Sequence, residues 1–316
     1  MLKVGVLGVG GISGAHIPAW PRIEGAKLVA LCDIRPERLE KYKDSGYHLY
    51  TSYEDMIANE DLDVIDICLP TYLHVEYSIK AMEKGMHVIC EKPISLNRDD
   101  VKRVYDVAEK NNVKFMVAHV LRFWNEYVFI KDLVDSGKYG KLLNGHVERM
   151  GDTPKWSWDG WMTDPERSGL VPFDLHIHDL DWLIYTFGAP KDISVRRIQK
   201  NNNDYMSGTY EYDDFYITAQ SAWYAGKFRF TYGFRFLFEQ ALVELKNGEL
   251  TVYQGDCQTI HVNNEPEGGE ACINLPATDA YFEEIKYFTE CILEDKPTDK
   301  IKPEELEYVL DILKQY

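Results

Sequence analysis

Three clusters in this chain combine residue types and spacings that can do chemistry. The first is Gly8-Val9-Gly10-Gly11-Ile12-Ser13, which follows an apolar run and opens a helical pattern. Gly8 permits a tight turn, and Gly10 lets the backbone approach a pyrophosphate seated on the amino-terminal end of the helix dipole. Ser13 stands where such fingerprints carry a third glycine, and a side chain this small still allows close packing of helix on strand. About 20 residues on, where a carboxylate can accept both hydroxyls of an adenosine ribose, Asp33 ends the next apolar run. A second reading makes Asp33 an ordinary helix N-cap ahead of Pro36. With run, turn, helix, run and acid in this order, the segment is expected to bind a dinucleotide. The Asp33 carboxylate repels a 2′-phosphate and favours NAD, while Arg35 can partly accommodate that phosphate and leaves NADP possible.

The second cluster is Glu91-Lys92-Pro93, at the end of the run Val88-Ile89-Cys90. Doubly wound folds bind their ligands at the carboxyl ends of the strands. A lysine there reads either as a solvated surface charge or as an acid–base group, and Pro93 favours the second because it fixes the backbone. Beside an oxidised nicotinamide, like charge and partial burial both push a lysine down from about 10.4 towards the range of a general base.

The third cluster is Phe173-Asp174-Leu175-His176-Ile177-His178-Asp179-Leu180-Asp181-Trp182. On a helix Asp174 and His178 share one face and His176 projects roughly opposite. Three readings stand here: metal ligation by the histidines and acids, a hydrogen-bonded helix interface through His176 and Asp181, and an acid–base pair of Asp174 with His178. A helical H-x-H pair diverges, so no metal is expected.

Residues 2 to about 118 alternate β-branched runs with helical patterns, the signature of βαβ units and a parallel sheet. Strands are expected at 3–7, 27–32, 64–68, 87–90 and 114–117, and helices at 11–23, 36–45, 53–58, 73–84 and 98–111. After about residue 120 long alternating strands take over. The plainest runs from Phe228 to Phe238, with an aromatic at every even position. Such a stripe packs either on the domain's own helices or in an oligomer, because a wide aromatic face in water is a sticky patch; a homo-oligomer using this sheet is expected. Two helices close the chain, at 280–293 and 303–314. The division expected is a dinucleotide-binding domain over 1–120 and a second domain over 121–316, whose last helices can pack back on the first.

The charge balance excludes some partners. Against 35 Lys and Arg stand 52 Asp and Glu, a net charge of −17 that repels nucleic acid and anionic membrane surfaces alike. No apolar run approaches the roughly 18 residues of a membrane span. The amino-terminal residues show no secretory pattern, and the six cysteines include no C-x-x-C pair, so reduced thiols in a cytoplasm are expected.

The ordered set of Gly8 to Ser13, Leu69-Pro70-Thr71-Tyr72-Leu73-His74, Glu91-Lys92-Pro93, Arg122-Phe123, and Asp174 with His178 in D-x-x-x-H spacing resembles the glucose-fructose oxidoreductase / inositol dehydrogenase / rhizopine catabolism (Gfo/Idh/MocA) family, over essentially the whole chain. The E-K-P and D-x-x-x-H motifs are far more specific than the glycine motif. The resemblance implies an N-terminal Rossmann doubly wound parallel sheet and a C-terminal α+β domain with an open, mostly antiparallel sheet used for dimer or tetramer assembly. It implies that Lys92, Asp174 and His178 occupy catalytic positions, that Pro70, Thr71, His74 and Glu91 line the nicotinamide side, and that Arg122 lies with the substrate. Two departures bear on the substrate pocket: the glycine-rich run before the aspartate is reduced to Ser168-Gly169-Leu170, and His176 is an extra histidine.

The activity implied is NAD(P)-dependent oxidation of a secondary hydroxyl on a small-molecule sugar or cyclitol, or the reverse reduction. Trp156, Trp158 and Trp161 would then stack on a sugar ring or anchor their loop. Two rivals are a glycosidase acting by transient oxidation and elimination, and a nucleotide sensor without catalysis.

Overall fold

The computed structural model describes residues 1–260 and 278–316. Cys272 lies outside these residues, as does the Cys257 side chain, and the other four cysteines are buried free thiols. The chain divides into two compact units, Met1–Val120 with the described part of Glu265–Glu307, and Leu121–Asn264 with Tyr308–Tyr316.

In the first unit the chain alternates β1 (Leu2–Leu7), α1 (Ser13–Ala19), β2 (Ala26–Cys32), α2 (Pro36–Leu39), β3 (His48–Tyr50), α3 (Tyr53–Asn59), β4 (Val64–Ile67), α4 (His74–Met82), β5 (His87–Glu91), α5 (Asp99–Lys110) and β6 (Phe115–Ala118). The six strands are parallel and ordered β3-β2-β1-β4-β5-β6. Every residue of β4 and β6 is buried, as a sheet covered on both faces requires. The order reverses between β1 and β4, which makes the carboxyl ends of those strands the place where doubly wound folds open a ligand crevice.

Some boundaries differ from the sequence expectation for local reasons. The helix expected over 11–23 is α-helical only over Ser13–Ala19, where Pro18 removes a donor, and it then tightens into a short 3-10 turn over Trp20–Arg22. The helix expected over 36–45 likewise keeps α geometry only to Leu39. Strand β3 was not anticipated, since three half-exposed residues at a sheet edge carry no readable alternation.

The second unit contains α6 (Asn125–Ser136), β7 (Leu142–Asp152), α7 (Pro165–Ser168), α8 (Ile177–Phe187), and the strands β8 (Asp192–Lys200), β9 (Asn203–Glu211), β10 (Tyr216–Tyr224), β11 (Thr231–Phe238), β12 (Leu242–Lys246), β13 (Glu249–Gln254) and β14 (Asp256–Ile260). Its sheet runs β14-β13-β12-β11-β7-β10-β9-β8 and is antiparallel apart from the β7–β10 pair. Of the last two helices, α9 (Ala280–Leu293) belongs to the first unit, and the division between units falls within α10 (Pro303–Leu313).

The aromatic stripe of β11 follows the first of its two readings and packs on the domain's own helices. Phe234, Phe236 and Phe238 are buried inside their own unit. Phe234 meets the Tyr127 ring of α6 at 5.3 Å, and Phe236 meets Trp182 and Phe187 of α8 at 5.6 and 6.1 Å. Intrachain helices therefore cover the face that the oligomer expectation had left in water. Strand pairing places Ile198, Tyr216, Leu237 and Tyr253 on the opposite face, where they are 66%, 49%, 41% and 41% exposed.

Candidate functional site

The glycine loop is shaped for a ligand. Gly8 has φ of +96°, and a Cβ there would come within 2.5 Å of the Cys68 carbonyl oxygen, so only glycine fits the turn. No heavy atom lies within 4 Å of where a Cβ on Gly10 would stand, which leaves the space over the loop open. Ser13 is buried, and its hydroxyl donates to the Gly10 carbonyl at 2.9 Å, so the missing third glycine is replaced by a side chain that ties the loop down. Ile12, at the N-cap of α1, offers no capping side chain. The Gly14 and Ala15 amides bond back to the Gly11 and Ile12 carbonyls at 3.1 and 2.9 Å, so an anionic ligand here would meet the glycine loop ahead of them.

Asp33 supports this loop. Its Oδ2 accepts from the Val9 amide at 2.9 Å, and its Oδ1 from the Arg35 amide at 2.9 Å. The Arg35 guanidinium closes over the same carboxylate, with Nε and Nη2 donating at 3.1 and 3.2 Å. The helix N-cap reading is replaced by this clasp, since the N-cap of α2 is Arg35.

A buried polar network lies at the carboxyl ends of β4 and β5. His16, on the inward face of α1, places Nδ1 3.0 Å from both Asp66 oxygens and Nε2 3.0 Å from Glu91 Oε1. Trp20 donates to Asp66 at 2.7 Å, and the second Glu91 oxygen accepts from the Lys92 amide at 3.0 Å. Burial alone would strip the His16 proton, but the Asp66 charge and hydrogen bond hold the ring protonated well above the usual histidine range. His16, Asp66 and Cys68 come close enough to hold a metal. Asp66 is nevertheless engaged by His16 and Trp20, and burial pushes the Cys68 thiol up to about 12, so it keeps its proton.

His74 has an internal role. Its ring nitrogens lie 2.7 Å from the carbonyl oxygens of Pro93 and of Leu69, so it ties the loop after β4 to the loop after β5. Burial lowers its proton affinity, against the pull of those carbonyls. Thr71 is buried beside it in a short turn with Pro70, and Lys92 stays half-exposed at the end of β5. His74 and Glu91, expected to line the nicotinamide side, have the polar atoms described above turned to the protein.

In the second unit the third cluster is not a plain helix. Residues Pro172–His176 form a π turn that runs into α8, an irregularity often found at functional positions. From Val171 to Ile184 every residue is buried except Asp174 and His178, which are partly exposed. The other members of the cluster point inward. His176 binds Ser221 Oγ at 3.0 Å and Tyr210 OH at 2.6 Å, and burial lowers its pKa to about 4. Asp179 accepts from Arg149 at 3.0 and 3.1 Å, and Asp181 from Arg122 at 2.6 and 2.9 Å. The ligand atoms a metal would use at His176, Asp179 and Asp181 are engaged by these partners.

Arg122 corrects an expectation. It is fully buried, gripped by Asp181, and lies over the Tyr185 ring at 4.6 Å, so it braces α8 from within. The three tryptophans separate too. Trp156 and Trp158 are 56% and 39% exposed, while Trp161 packs on the apolar cluster of Met162, Leu170, Val171 and Leu175 and anchors its loop.

The residues that sequence reasoning missed are His16 and Asp66. A signal was present: an acid inside the doubly covered strand Val64-Ile65-Asp66-Ile67 must find a buried partner.

A parallel sheet with a glycine turn at its switch point, followed by an acid at the end of β2, defines a dinucleotide-binding domain. The family model described as an oxidoreductase family with an NAD-binding Rossmann fold matches residues 2–119, and the GFO/IDH/MocA C-terminal domain model matches residues 127–242. This chain belongs to the Gfo/Idh/MocA oxidoreductase family, and its first unit is an NAD-binding Rossmann fold. Among curated relatives it is 32% identical over 174 residues to a 2,7-anhydro-N-acetylneuraminate hydratase of Mediterraneibacter gnavus, covering 54% of this chain and 46% of that one. It is 31% identical over 189 residues to a myo-inositol 2-dehydrogenase of Thermotoga maritima, covering 59% and 55%. The chain thus spans about half the length of the curated relatives it matches. A levoglucosan dehydrogenase solved with NADH and levoglucosan shares the fold, with a TM-score of 0.81, 20% identity, and coverage of 99% of this chain and 95% of that one.

Proposed function

We propose that this protein transfers a hydride between NAD and a secondary hydroxyl or ketone carbon of a sugar or cyclitol. The observation that carries the reading is the exposure pattern of residues 171–184, where Asp174 and His178 alone reach solvent from a buried run. These are the acid and the histidine of the D-x-x-x-H spacing to which the family resemblance gives catalytic roles. Relatives named as a myo-inositol 2-dehydrogenase and a levoglucosan dehydrogenase support the substrate class.

NAD, when bound, supplies the hydride acceptor. The open glycine loop over Gly8–Ser13 would hold its diphosphate, and Asp33, clasped here by Arg35, would take the ribose. His178 takes the hydroxyl proton with Asp174 setting its orientation. In the first unit Lys92 is the second acid–base candidate, whose ammonium would polarise a substrate oxygen. The half-exposed position of Lys92 at the end of β5 suits that role.

The test is a panel of inositols, aldoses, anhydrosugars and glycosides, incubated with NAD and then NADP while NADH formation and glycoside cleavage are followed. Net NADH from a cyclitol or free sugar is expected. Glycoside cleavage or loss of an anhydrosugar without net NADH would establish oxidation and elimination instead. NAD binding with no turnover of any member would leave a sensor.

A further inference from the structure

The buried network around His16 has more protons and charges than packing requires. A neutral imidazole has one N–H, yet both ring nitrogens face carboxylates, Asp66 at 3.0 Å and Glu91 at 3.0 Å. With one nitrogen unprotonated, its lone pair would face an anionic oxygen inside the protein, the costly arrangement that buried ion pairs avoid. The ring therefore donates at both ends. Glu91 is the link to the reaction, because its other oxygen accepts from the backbone amide of Lys92 at 3.0 Å.

We propose that His16 is a positioning residue for Lys92: donating to Asp66 and Glu91 together, it fixes the Glu91 side chain and so holds the Lys92 backbone against that carboxylate. The inference rests on the reading of Lys92 as an acid–base group. It gives α1 a second task, since the helix that begins at the glycine loop also sets the loop after β5. A change in the pose of α1 reaches Lys92 through two hydrogen bonds. Neighbouring groups fit the charge on the ring. Cys68 is a neutral thiol, Trp20 donates to Asp66 and not to the ring, and α9 contributes the Tyr281 ring, 5.8 Å away, and carries the buried Glu284.

Three measurements on the full chain test this. Long-range proton–nitrogen spectra of the wild type should show both His16 nitrogens protonated at pH 7.5, and a neutral tautomer at that pH overturns the proposal. In His16→Gln, amide exchange at Lys92 should rise at least tenfold while the Val6 amide in β1 keeps its wild-type rate; unchanged exchange at Lys92 overturns it. With the best panel substrate, kcat should fall at least tenfold in His16→Gln, because Lys92 is no longer held in place, while KM and the Kd for NAD stay within threefold of wild type. That fall should vanish in a Glu91→Gln background, and its persistence there rules out the route through Glu91. The spectra decide the matter even where His16→Gln fails to fold. A Lys92→Met variant run beside them separates the two ideas: full turnover there sinks the catalytic reading of Lys92 while the His16 spectra and exchange rates still report on the network.

Discussion

At single residues, the sharpest contrast is between the two histidines two positions apart in one helix. His178 is partly exposed and His176 is fully enclosed by Ser221 and Tyr210. Turnover of the panel substrate should fall by a factor on the order of 10² or more in His178→Ala and in Lys92→Met, the usual scale for acid–base groups. Titration with NAD should give nearly wild-type affinity in both, since the diphosphate and ribose contacts are expected on Gly8, Gly10 and Asp33. His176 instead reports through stability. Its native pKa of about 4 lies below the unfolded value of about 6.5, so between those values the unfolded chain binds the extra proton. The neutral ring's contribution is present in full above pH 6.5 and is lost as pH falls through 4, by about 3 kcal/mol in total. Denaturant titrations from pH 7 to 4 should show this slope in the wild type and lose it in His176→Asn. In the first unit, Arg35 occupies the Asp33 carboxylate. Arg35→Ala should tighten NAD binding and weaken NADP binding, whereas Asp33→Ser should narrow or reverse the preference for NAD; a wild type that prefers NADP tenfold would make Arg35 the dominant specificity residue.

Among elements, α8 and β11 show what could be seen in the sequence and what could not. The alternation of β11 was plain because period-2 aromatics have no other regular reading. Which partner covers them was not, since a stripe looks the same whether an intrachain helix or a second molecule lies on it. The structure supplies Tyr127, Trp182 and Phe187. Phe236→Ala should accordingly cost about 3–5 kcal/mol, read by chemical denaturation of the wild type and the variant side by side. For α8 the spacing of Asp174 and His178 was legible, but the π turn that carries Asp174 was not, because a widened turn leaves no signature in residue types. Arg122 misled for a related reason. A guanidinium in a sequence reads as a candidate ligand for substrate, and only the tertiary fold shows that Asp181 claims it. The βαβ order of the first unit was legible almost throughout, because buried parallel strands are short apolar runs between helices. The short edge strand β3 was the exception.

For the molecule as a whole, a homo-oligomer remains our proposal, with its contact moved to the opposite face of the second sheet. That face combines Ile198, Tyr216, Leu237 and Tyr253 with the charged pair of Arg235 and Glu244, bonded at 2.7 and 3.0 Å. Light scattering should give at least twice the 36.6 kDa chain mass at micromolar concentration, and Ile198→Glu should shift the population towards the monomer. A wild-type mass of one chain would refute this. The alternation that turns the phenylalanines of β11 inward thus exports the strand's other side chains to a surface where two copies can meet. Most such contacts are two-fold and self-complementary, with each patch pairing with itself. Any substitution on this face is then made twice per contact, so a small loss at one position is doubled in the assembly, whereas the same loss on the aromatic face is felt once per chain.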